Sequence, residues 1–226
     1  MFSYFGSKSK IVHLYPKPKF GLIIEPFAGS ARYALKYFER DVVLIDKFHK
    51  IIEIWKYLQN ASEKDILSLP EIKQGESTEL HTQLSDPEKW LIGFCINRGS
   101  AVPKKTAGSF FGWEEDKKRI AKQLFKIRHW EFILGEYDCL ETKATWFIDP
   151  PYFNEGKEYV FSSAKINFIE LEKWIKSRLG QTIVCETQSA TWMPFQRLGK
   201  VSGSIRTTTE VFWSSEKLEY QANLFE

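Results

Sequence analysis

The stretch GLIIEPFAGSARYALKYFERDVVLID, residues 21–46, alternates between short apolar runs and a helix-forming run. GLIIEP (21–26) has the pattern of a buried strand, SARYALKYFER (30–40) that of a helix, and DVVLID (41–46) that of a second strand. Apolar runs of this length, separated by a helical pattern, are typical of parallel strands joined by crossover helices. The stretch therefore predicts the first strand–helix–strand unit of an α/β sheet that is wound on both faces.

The alternation returns further along the chain. Predicted strands are EFIL (131–134), ATWFID (144–149) and TIVCET (182–187), and predicted helices are KIIEIWKYLQN (50–60) and NFIELEKWIKSRL (167–179). The last apolar segment, VSGSIRTTTEVFW (201–213), has the period-two pattern of a two-stranded hairpin. We therefore expect a mostly parallel sheet that is closed by an antiparallel edge hairpin.

The pattern breaks between residues 61 and 130. A helix in SDPEKWLIGFCINR (85–98), capped by Ser85 or Asp86, precedes a polar loop (99–113) and a basic amphipathic helix from about Glu114 to His129. We interpret 61–130 as a small helical insertion at the carboxyl ends of the strands, where such folds bind ligands. The main domain then comprises residues 1–60 and 131–226.

Composition limits the class of protein. The 226 residues are 43% hydrophobic and 27% charged, which is typical of a globular chain. Cys95, Cys139 and Cys185 form no C-x-x-C pair, which argues against disulfides and zinc and favours a reducing cytoplasm. We expect no metal, no signal peptide and no membrane span.

The charge is unevenly distributed. The net charge is only +3, yet residues 1–20 contain four lysines and no acid, and residues 97–129 contain nine Lys or Arg against three acids. Two basic regions on an otherwise acidic body suggest a face that binds a polyanion. Solvated helix faces are the alternative interpretation of the second region.

Two carboxylates follow the first two predicted strands. Glu25 precedes the turn FAGS, and Asp46 ends the second strand 21 residues later. The glycines do not form the G-x-G-x-x-G dinucleotide fingerprint, but an acidic residue at this spacing is where the ribose hydroxyls of a nucleoside bind. Alternatively, Glu25 caps the following helix and Asp46 merely ends a strand.

A rigid acidic corner, TWFIDPPYFN (145–154), ends a later strand. Pro150 and Pro151 restrict the backbone and remove two N–H donors, so they would hold Asp149 and Tyr152 in place. A carboxylate beside an aromatic ring suits a flat ligand that donates hydrogen bonds. The terminal YFGSKSK (4–10) adds an aromatic residue and lysines that could close over a ligand, although a frayed basic terminus is also compatible with it.

EPFAG, DPPYF and YFGSK, in this chain order, resemble the D12 (Dam-like) class of N6-adenine DNA methyltransferases over nearly the whole chain. The resemblance implies a Rossmann-like class I methyltransferase sheet of seven strands, S-adenosylmethionine as methyl donor and double-stranded DNA as substrate. Ala31 departs from the pattern, because many relatives have glycine there. The short recognition segment leaves the DNA sequence undefined.

The resemblance also implies a mechanism. The Asp149 carboxylate and the Pro150 carbonyl would accept hydrogen bonds from the adenine amine and direct its lone pair toward the methyl group. The base must be flipped out of the duplex, and stacking on Tyr152 would offset that cost. Pro151 keeps the corner rigid, and Phe153 would wall the base pocket.

The resemblance also implies the residues that contact the donor, whereas the basic loop and helix suggest the contacts with DNA. Expected donor contacts are Tyr4, Gly6, Lys8, Glu25, Phe27, Gly29, Asp46, Glu136, Tyr137 and Asp149. Glu186 would contact the flipped base, although a buried capping role is equally compatible with its position. Expected DNA contacts are Arg98, Lys104, Lys105, Lys117, Lys118 and Arg119.

Other functions remain open. An RNA adenine methyltransferase would use the same corner, and an inactive DNA-binding homologue would retain it for structure. Protein glutamine methylation is disfavoured, because related enzymes have Asn where this chain has Asp149. The size of the chain is compatible with a monomer, and the family allows a companion restriction enzyme.

Overall fold

The computed structural model describes residues 1–97, 99–108, 112–202 and 207–216. The strands are β1 (Leu22–Glu25), β2 (Asp41–Asp46), β3 (Glu131–Leu134), β4 (Ala144–Ile148), β5 (Gly180–Thr187), β6 (Gln196–Ser202) and β7 (Thr207–Ser214). They form a seven-stranded sheet in the order β3-β2-β1-β4-β5-β7-β6. The first five strands pair in parallel, and β7 is antiparallel to both of its neighbours. The Rossmann-like fold and its edge hairpin are thus confirmed.

The α-helices are α1 (Arg32–Lys36), α2 (His49–Asn60), α3 (Glu63–Ser68), α4 (Asp86–Cys95), α5 (Trp113–Ala121) and α6 (Phe168–Lys176). Short 3-10 helices span Val12–Leu14, Thr78–Leu80, Leu124–Ile127, Gly156–Glu158 and Ser163–Lys165. No helix in the described part of the chain is long and apolar enough to cross a membrane.

The central strands are apolar on both faces. Ile23 and Phe147 belong to one hydrophobic cluster, whereas their neighbours Ile24 and Trp146 belong to a second cluster on the opposite face. Side chains alternate between the two faces of a strand, so a continuous apolar run supplies both clusters. Helix α6 covers the second cluster, and the other α-helices contribute to the first.

The strand order creates a crevice. The chain leaves β1 toward β2 and β3 on one side and later returns to β4 on the other side of β1. In open α/β sheets, ligands bind outside the carboxyl ends of the strands at such a switch point. Here the turn after β1 and the corner after β4 face each other at that edge.

Residues 47–130 form one long crossover between β2 and β3. Within it, Phe94 of α4 and Trp113 of α5 lie in the same hydrophobic cluster as Leu44 and Phe147 of the sheet. Burial of large aromatic side chains is a major contribution to core stability. The helices of the predicted insertion are therefore also a cover for one face of the sheet.

Two predicted helices are shorter in the structure. Helix α1 begins at Arg32 because Ala31 adopts a left-handed conformation, and it ends where the Tyr37 N–H bonds the Tyr33 and Ala34 carbonyls. The basic helix expected to run to His129 stops at Ala121 and is followed by a 3-10 turn. In that turn Leu124 and Ile127 are both buried, since residues three apart share one side of a 3-10 helix.

Candidate functional site at the carboxyl ends of the strands

A cavity of about 300 Å³ lies at the switch point. All ten residues expected to contact the methyl donor line it: Tyr4, Gly6, Lys8, Glu25, Phe27, Gly29, Asp46, Glu136, Tyr137 and Asp149. Pro151 also lines the cavity, whereas Pro150, Tyr152 and Glu186 are not among its lining residues. The structure therefore brings the N-terminal loop, the turn after β1, the end of β2 and the corner after β4 to one place.

The turn after β1 has a left-handed backbone. Gly29 has φ 43°, and Ala31 has φ 45° and ψ 50°, a conformation that is rare for residues with a Cβ atom. A Cβ at Gly29 would lie 2.9 Å from the ring of Tyr4, so the backbone approaches that ring closely. The Trp55 indole N–H donates to the Gly29 carbonyl at 3.0 Å and fixes the turn.

Asp46 bridges the turn and the second strand. One carboxylate oxygen accepts from the Gly29 N–H at 3.1 Å, and the other accepts from the Phe48 N–H at 2.8 Å. Burial raises the pKa of Asp46 to about 6, although these two hydrogen bonds act to lower it. Each carboxylate oxygen retains a further lone pair, so Asp46 can accept hydrogen bonds from a ligand.

Glu25 has the capping role that the sequence left open. It is buried, and its Oε1 accepts from the Ala34 N–H in the first turn of α1 at 2.6 Å. Burial raises its pKa to about 8; the Ala34 hydrogen bond lowers it, and the nearby Asp149 carboxylate raises it. Glu25 therefore mostly carries a proton at neutral pH.

The corner after β4 centres on an ion pair. The Lys8 ammonium lies 2.9 Å from Asp149 Oδ1, donates to the Gly6 carbonyl at 3.0 Å and is 4.6 Å from the centre of the Tyr152 ring. Burial lowers the pKa of Lys8, but Asp149 and Glu210 raise it by more, so the net shift is upward. Burial raises the pKa of Asp149, and Lys8 opposes that shift. The lysine is a charged partner of the corner.

Glu186 supports the corner from behind. It is fully buried; Oε1 accepts from the Phe153 N–H at 2.7 Å and the Trp192 indole at 3.1 Å, and Oε2 accepts from the Thr187 N–H at 2.8 Å. Both oxygens are bonded within the protein and the side chain is buried, which supports a structural role for Glu186; its contact with a flipped base stays a prediction. The Phe153 ring is 39% exposed and packs edge-on against Phe168.

Aromatic rings wall the opposite end of the cavity. The rings of Phe27 and Tyr137 stack with their centres 5.6 Å apart and their planes at 23°. Glu136 forms a salt bridge with Lys47, which follows Asp46 in the chain. This end of the cavity offers flat apolar surface beside two carboxylates.

The predicted DNA contacts fall into different environments. Lys104 and Lys105 are exposed, and the Lys105 ammonium lies 3.5 Å from Glu79 Oε1. Lys118 and Arg119 are accessible but paired with Glu115 and Asp116 on the same helix. Lys117 is 4% exposed; its ammonium donates to the Leu69 carbonyl at 2.8 Å and lies 2.6 Å from Glu114. Lys117 is therefore a structural residue and was wrongly assigned to phosphate contact. Arg98 lies outside the described residues.

Several residues of the site were not predicted. Tyr159 lies over the glycine of the N-terminal loop, where a Cβ at Gly6 would be 2.4 Å from its hydroxyl. Arg32 donates to Ser7 Oγ at 2.9 Å and to the Phe2 carbonyl at 2.8 Å, which fastens the same loop. Glu210 was not predicted either. Of these residues, only Glu210 could have been noticed from the sequence, because it is an acidic residue within a predicted strand.

Comparisons with known proteins add little to this geometry. No family model and no curated protein matches the chain. Among 29 matching chains of solved structures is yhhF from Escherichia coli, provisionally described as a methyltransferase. It has 11% identity and a TM-score of 0.34, over 87% of this chain and 75% of its own.

Among the described residues, no cluster of His, Cys, Asp and Glu could hold a metal ion.

Proposed function

We propose that this protein is an S-adenosylmethionine-dependent N6-adenine methyltransferase of the D12 class that acts on double-stranded DNA. The observation that supports this most strongly is that Gly29 in the turn after β1, Asp46 at the end of β2 and Asp149 in the corner after β4 line a single cavity. The two motifs lie far apart in sequence, and only the switch-point topology brings them together. A nucleoside-binding turn facing an acidic prolyl corner is what methyl transfer to a base amine requires.

The residues of the cavity fit the methyl donor. Asp46 has lone pairs free to accept from ribose hydroxyls, and Phe27 and Tyr137 offer apolar surface to an adenine ring. Gly29 lines the cavity with its backbone alone, beside the ring of Tyr4, and would border the methionine portion of the donor. When bound, the donor supplies a methyl group activated by positive charge on sulfur.

At the corner, Asp149 would hold the target amine. Asp149 is bonded to Lys8 and interacts with the Tyr152 hydroxyl, and its remaining lone pairs and the Pro150 carbonyl would accept from the amine. A hydrogen bond to a charged group contributes about 1.5–3 kcal/mol, and it would draw the nitrogen lone pair out of the ring plane. Asp149 then stabilises the positive charge that develops on nitrogen.

Tyr152 would receive the flipped base. Base flipping costs a few kcal/mol, and stacking on an aromatic ring returns about 1–3 kcal/mol. Tyr152 directly follows the two prolines, so the ring and the Asp149 carboxylate are held by the same rigid turn. Phe153, whose ring is partly exposed, would form another wall of the base pocket.

The test is transfer of tritium from labelled S-adenosylmethionine to duplex DNA. We expect incorporation with wild type and a loss of at least about 1,000-fold with Asp149→Ala, which removes both the hydrogen bond and the positioning of the amine. Asp41→Ala, an exposed carboxylate at the opposite end of β2, is the control and should keep full activity. Equal incorporation by wild type and Asp149→Ala would refute the mechanism.

A second set of reactions tests whether the substrate is DNA or RNA. The same assay is run with single-stranded RNA, and transfer to RNA alone would replace DNA by RNA as the substrate. For duplex DNA, Lys104→Ala and Lys105→Ala should each reduce the salt dependence of binding by about one phosphate contact. The buried Lys117 should not contribute to that slope.

A further inference from the structure

Glu210 is a buried carboxylate in the middle of β7. It is 6% exposed, and its Oε2 accepts a hydrogen bond from the Tyr152 hydroxyl at 2.6 Å. A charged side chain in this position is costly unless it is paired. The neighbouring residues of β7, Val211 and Phe212, are apolar and buried, so Glu210 stands out in its strand.

The position of Glu210 is set by the sheet. It pairs in register with Thr187 of β5, next to Glu186, which holds the Phe153 N–H. Side chains alternate between the faces of a strand, so the two buried carboxylates of these adjacent strands contact the corner from opposite faces of the sheet. Glu186 fixes the backbone of the corner, and Glu210 fixes the side chain of Tyr152.

The charges around Glu210 form one network. The Lys8 ammonium faces Asp149 directly, lies over the Tyr152 ring and is stabilised by the negative charge of Glu210. The hydroxyl of Tyr152 is held at one end, and the ammonium lies over one of the two faces of the ring. The orientation of the ring therefore depends on groups from β7 and from the N-terminal loop.

We propose that Glu210 is a positioning residue that fixes the plane of the Tyr152 ring, so that a base stacked on the ring presents its amine to Asp149. This role rests on the proposed methyltransferase function. Glu210 does not line the donor cavity, so it acts through Tyr152 and not on the donor. The edge hairpin thereby becomes part of the base-binding half of the site.

A double-mutant cycle tests the coupling. Glu210→Leu removes the acceptor, Tyr152→Phe removes the hydroxyl but keeps the ring, and the double variant removes both. We expect each single variant to lower kcat about tenfold or more, because a hydrogen bond to a charged group is lost. The double variant should be no slower than the slower single variant, and Glu210→Gln, which keeps an acceptor, should recover most of kcat.

Two further readouts separate positioning from general damage. The Kd of S-adenosylmethionine should change less than about threefold in every variant, because the donor cavity is untouched. Glu131→Gln, an exposed carboxylate on β3 at the far edge of the sheet, should match wild type throughout. If Glu210→Leu fails to fold, Tyr152→Phe alone must still lower kcat without changing the donor Kd.

The outcomes are distinct. Additive effects in the cycle, or a loss confined to donor binding, would overturn the positioning role while leaving the methyltransferase function intact. Absence of methyl transfer by wild type to adenine in DNA and in RNA would overturn both proposals together. A non-additive cycle with an unchanged donor Kd supports the role of Glu210.

Discussion

The two halves of the cavity hold their carboxylates by different means. On the β1–β2 side, Glu25 and Asp46 are held by backbone N–H groups of Ala34, Gly29 and Phe48. On the β4 side, Asp149 is held by the side chain of Lys8. Main-chain donors hold the carboxyl groups of the first half, and side-chain donors hold the carboxylate of the second.

This difference predicts how the halves respond to mutation. Backbone donors are fixed by the fold, so changes in the first half should act on stability and on donor affinity. The second half depends on a few buried ionic groups, whose loss leaves a charge without its partner. Changes there should lower the rate of transfer as well as stability.

The largest expected effect is that of Lys8→Met, which removes the charged partner of Asp149, a carboxylate that is only partly exposed. Removing one partner of a fully buried ion pair costs about 3–5 kcal/mol, and the loss here should lie toward the lower end because Asp149 is partly exposed; it is measured as the free energy of unfolding in urea. Lys117→Met is the matched control, since both lysines are almost fully buried, at 5% and 4% exposure. Both variants should be destabilised, but only Lys8→Met should also lose methyl transfer per folded molecule. Equal activity of the two folded variants would contradict the comparison.

A smaller effect is expected from the pH dependence of Glu25. Its folded pKa of about 8 exceeds the unfolded value of 4.5, so the folded state binds the additional proton between these pH values. Stability should therefore fall as the pH rises from 5 to 8. Glu25→Gln keeps an acceptor for the Ala34 N–H but cannot ionise.

The measurement is the difference in unfolding free energy between Glu25→Gln and wild type at each pH. It should grow in favour of the variant by about 3 kcal/mol over this range, because one pKa unit corresponds to about 1.4 kcal/mol. A difference that stays constant with pH would show that Glu25 is ionised in the folded protein.

Gly6→Ala tests the fit of the N-terminal loop. Gly6 and Gly75 have φ values of 71° and 77°, so alanine at either position carries a similar backbone strain of about 1–2 kcal/mol. A Cβ at Gly6 would also displace the Tyr159 hydroxyl, whereas Gly75 has open space around it. We expect donor affinity measured by calorimetry to fall about tenfold for Gly6→Ala and to remain unchanged for Gly75→Ala. A matching loss in both would mean that strain, and not the contact with Tyr159, is responsible.

The smallest effect concerns Ala31, where the turn is left-handed without glycine. Ala31→Gly relieves about 1 kcal/mol of strain but loses about 0.8 kcal/mol of methyl burial, so stability should stay close to that of wild type. Ala34→Gly loses a similarly buried methyl group from a right-handed helix and should cost about 2 kcal/mol. Equal losses in thermal unfolding would show that Ala31 is not strained.

The predicted strands agree closely with the structure because their apolar runs are buried on both faces. Strands β1, β2, β3 and β4 lie within one or two residues of their predicted limits. The end of α1 could not be predicted, since it depends on the left-handed backbone of Ala31. The packing of the long crossover against the sheet could not be predicted either. The periodicity of the sequence indicates that Phe94 is buried, but it does not indicate which residues Phe94 contacts.

The same limit applies to the site. Residues at strand ends, such as Asp46 and Asp149, could be placed because parallel strands end at one edge of the sheet. The pairing of Lys8 with Asp149 and of Glu210 with Tyr152 could not be predicted, since each joins segments remote in sequence. The prediction for Lys117 was wrong because its charge suggested that it is exposed. Its ammonium is instead buried, where it donates to the Leu69 carbonyl and pairs with Glu114.

Under the proposed function, the hydrophobic cluster that helices α4 and α5 share with the sheet restricts how a preference for one DNA sequence could be engineered. A graft of residues 61–130 from a relative that prefers another DNA sequence would replace Phe94 and Trp113. The strands of this chain would then pack against side chains that do not match their own. Chimeras of this chain should therefore exchange only exposed positions of the loop at 99–108, such as Lys104 and Lys105, and keep the buried Ala107 and the helices unchanged.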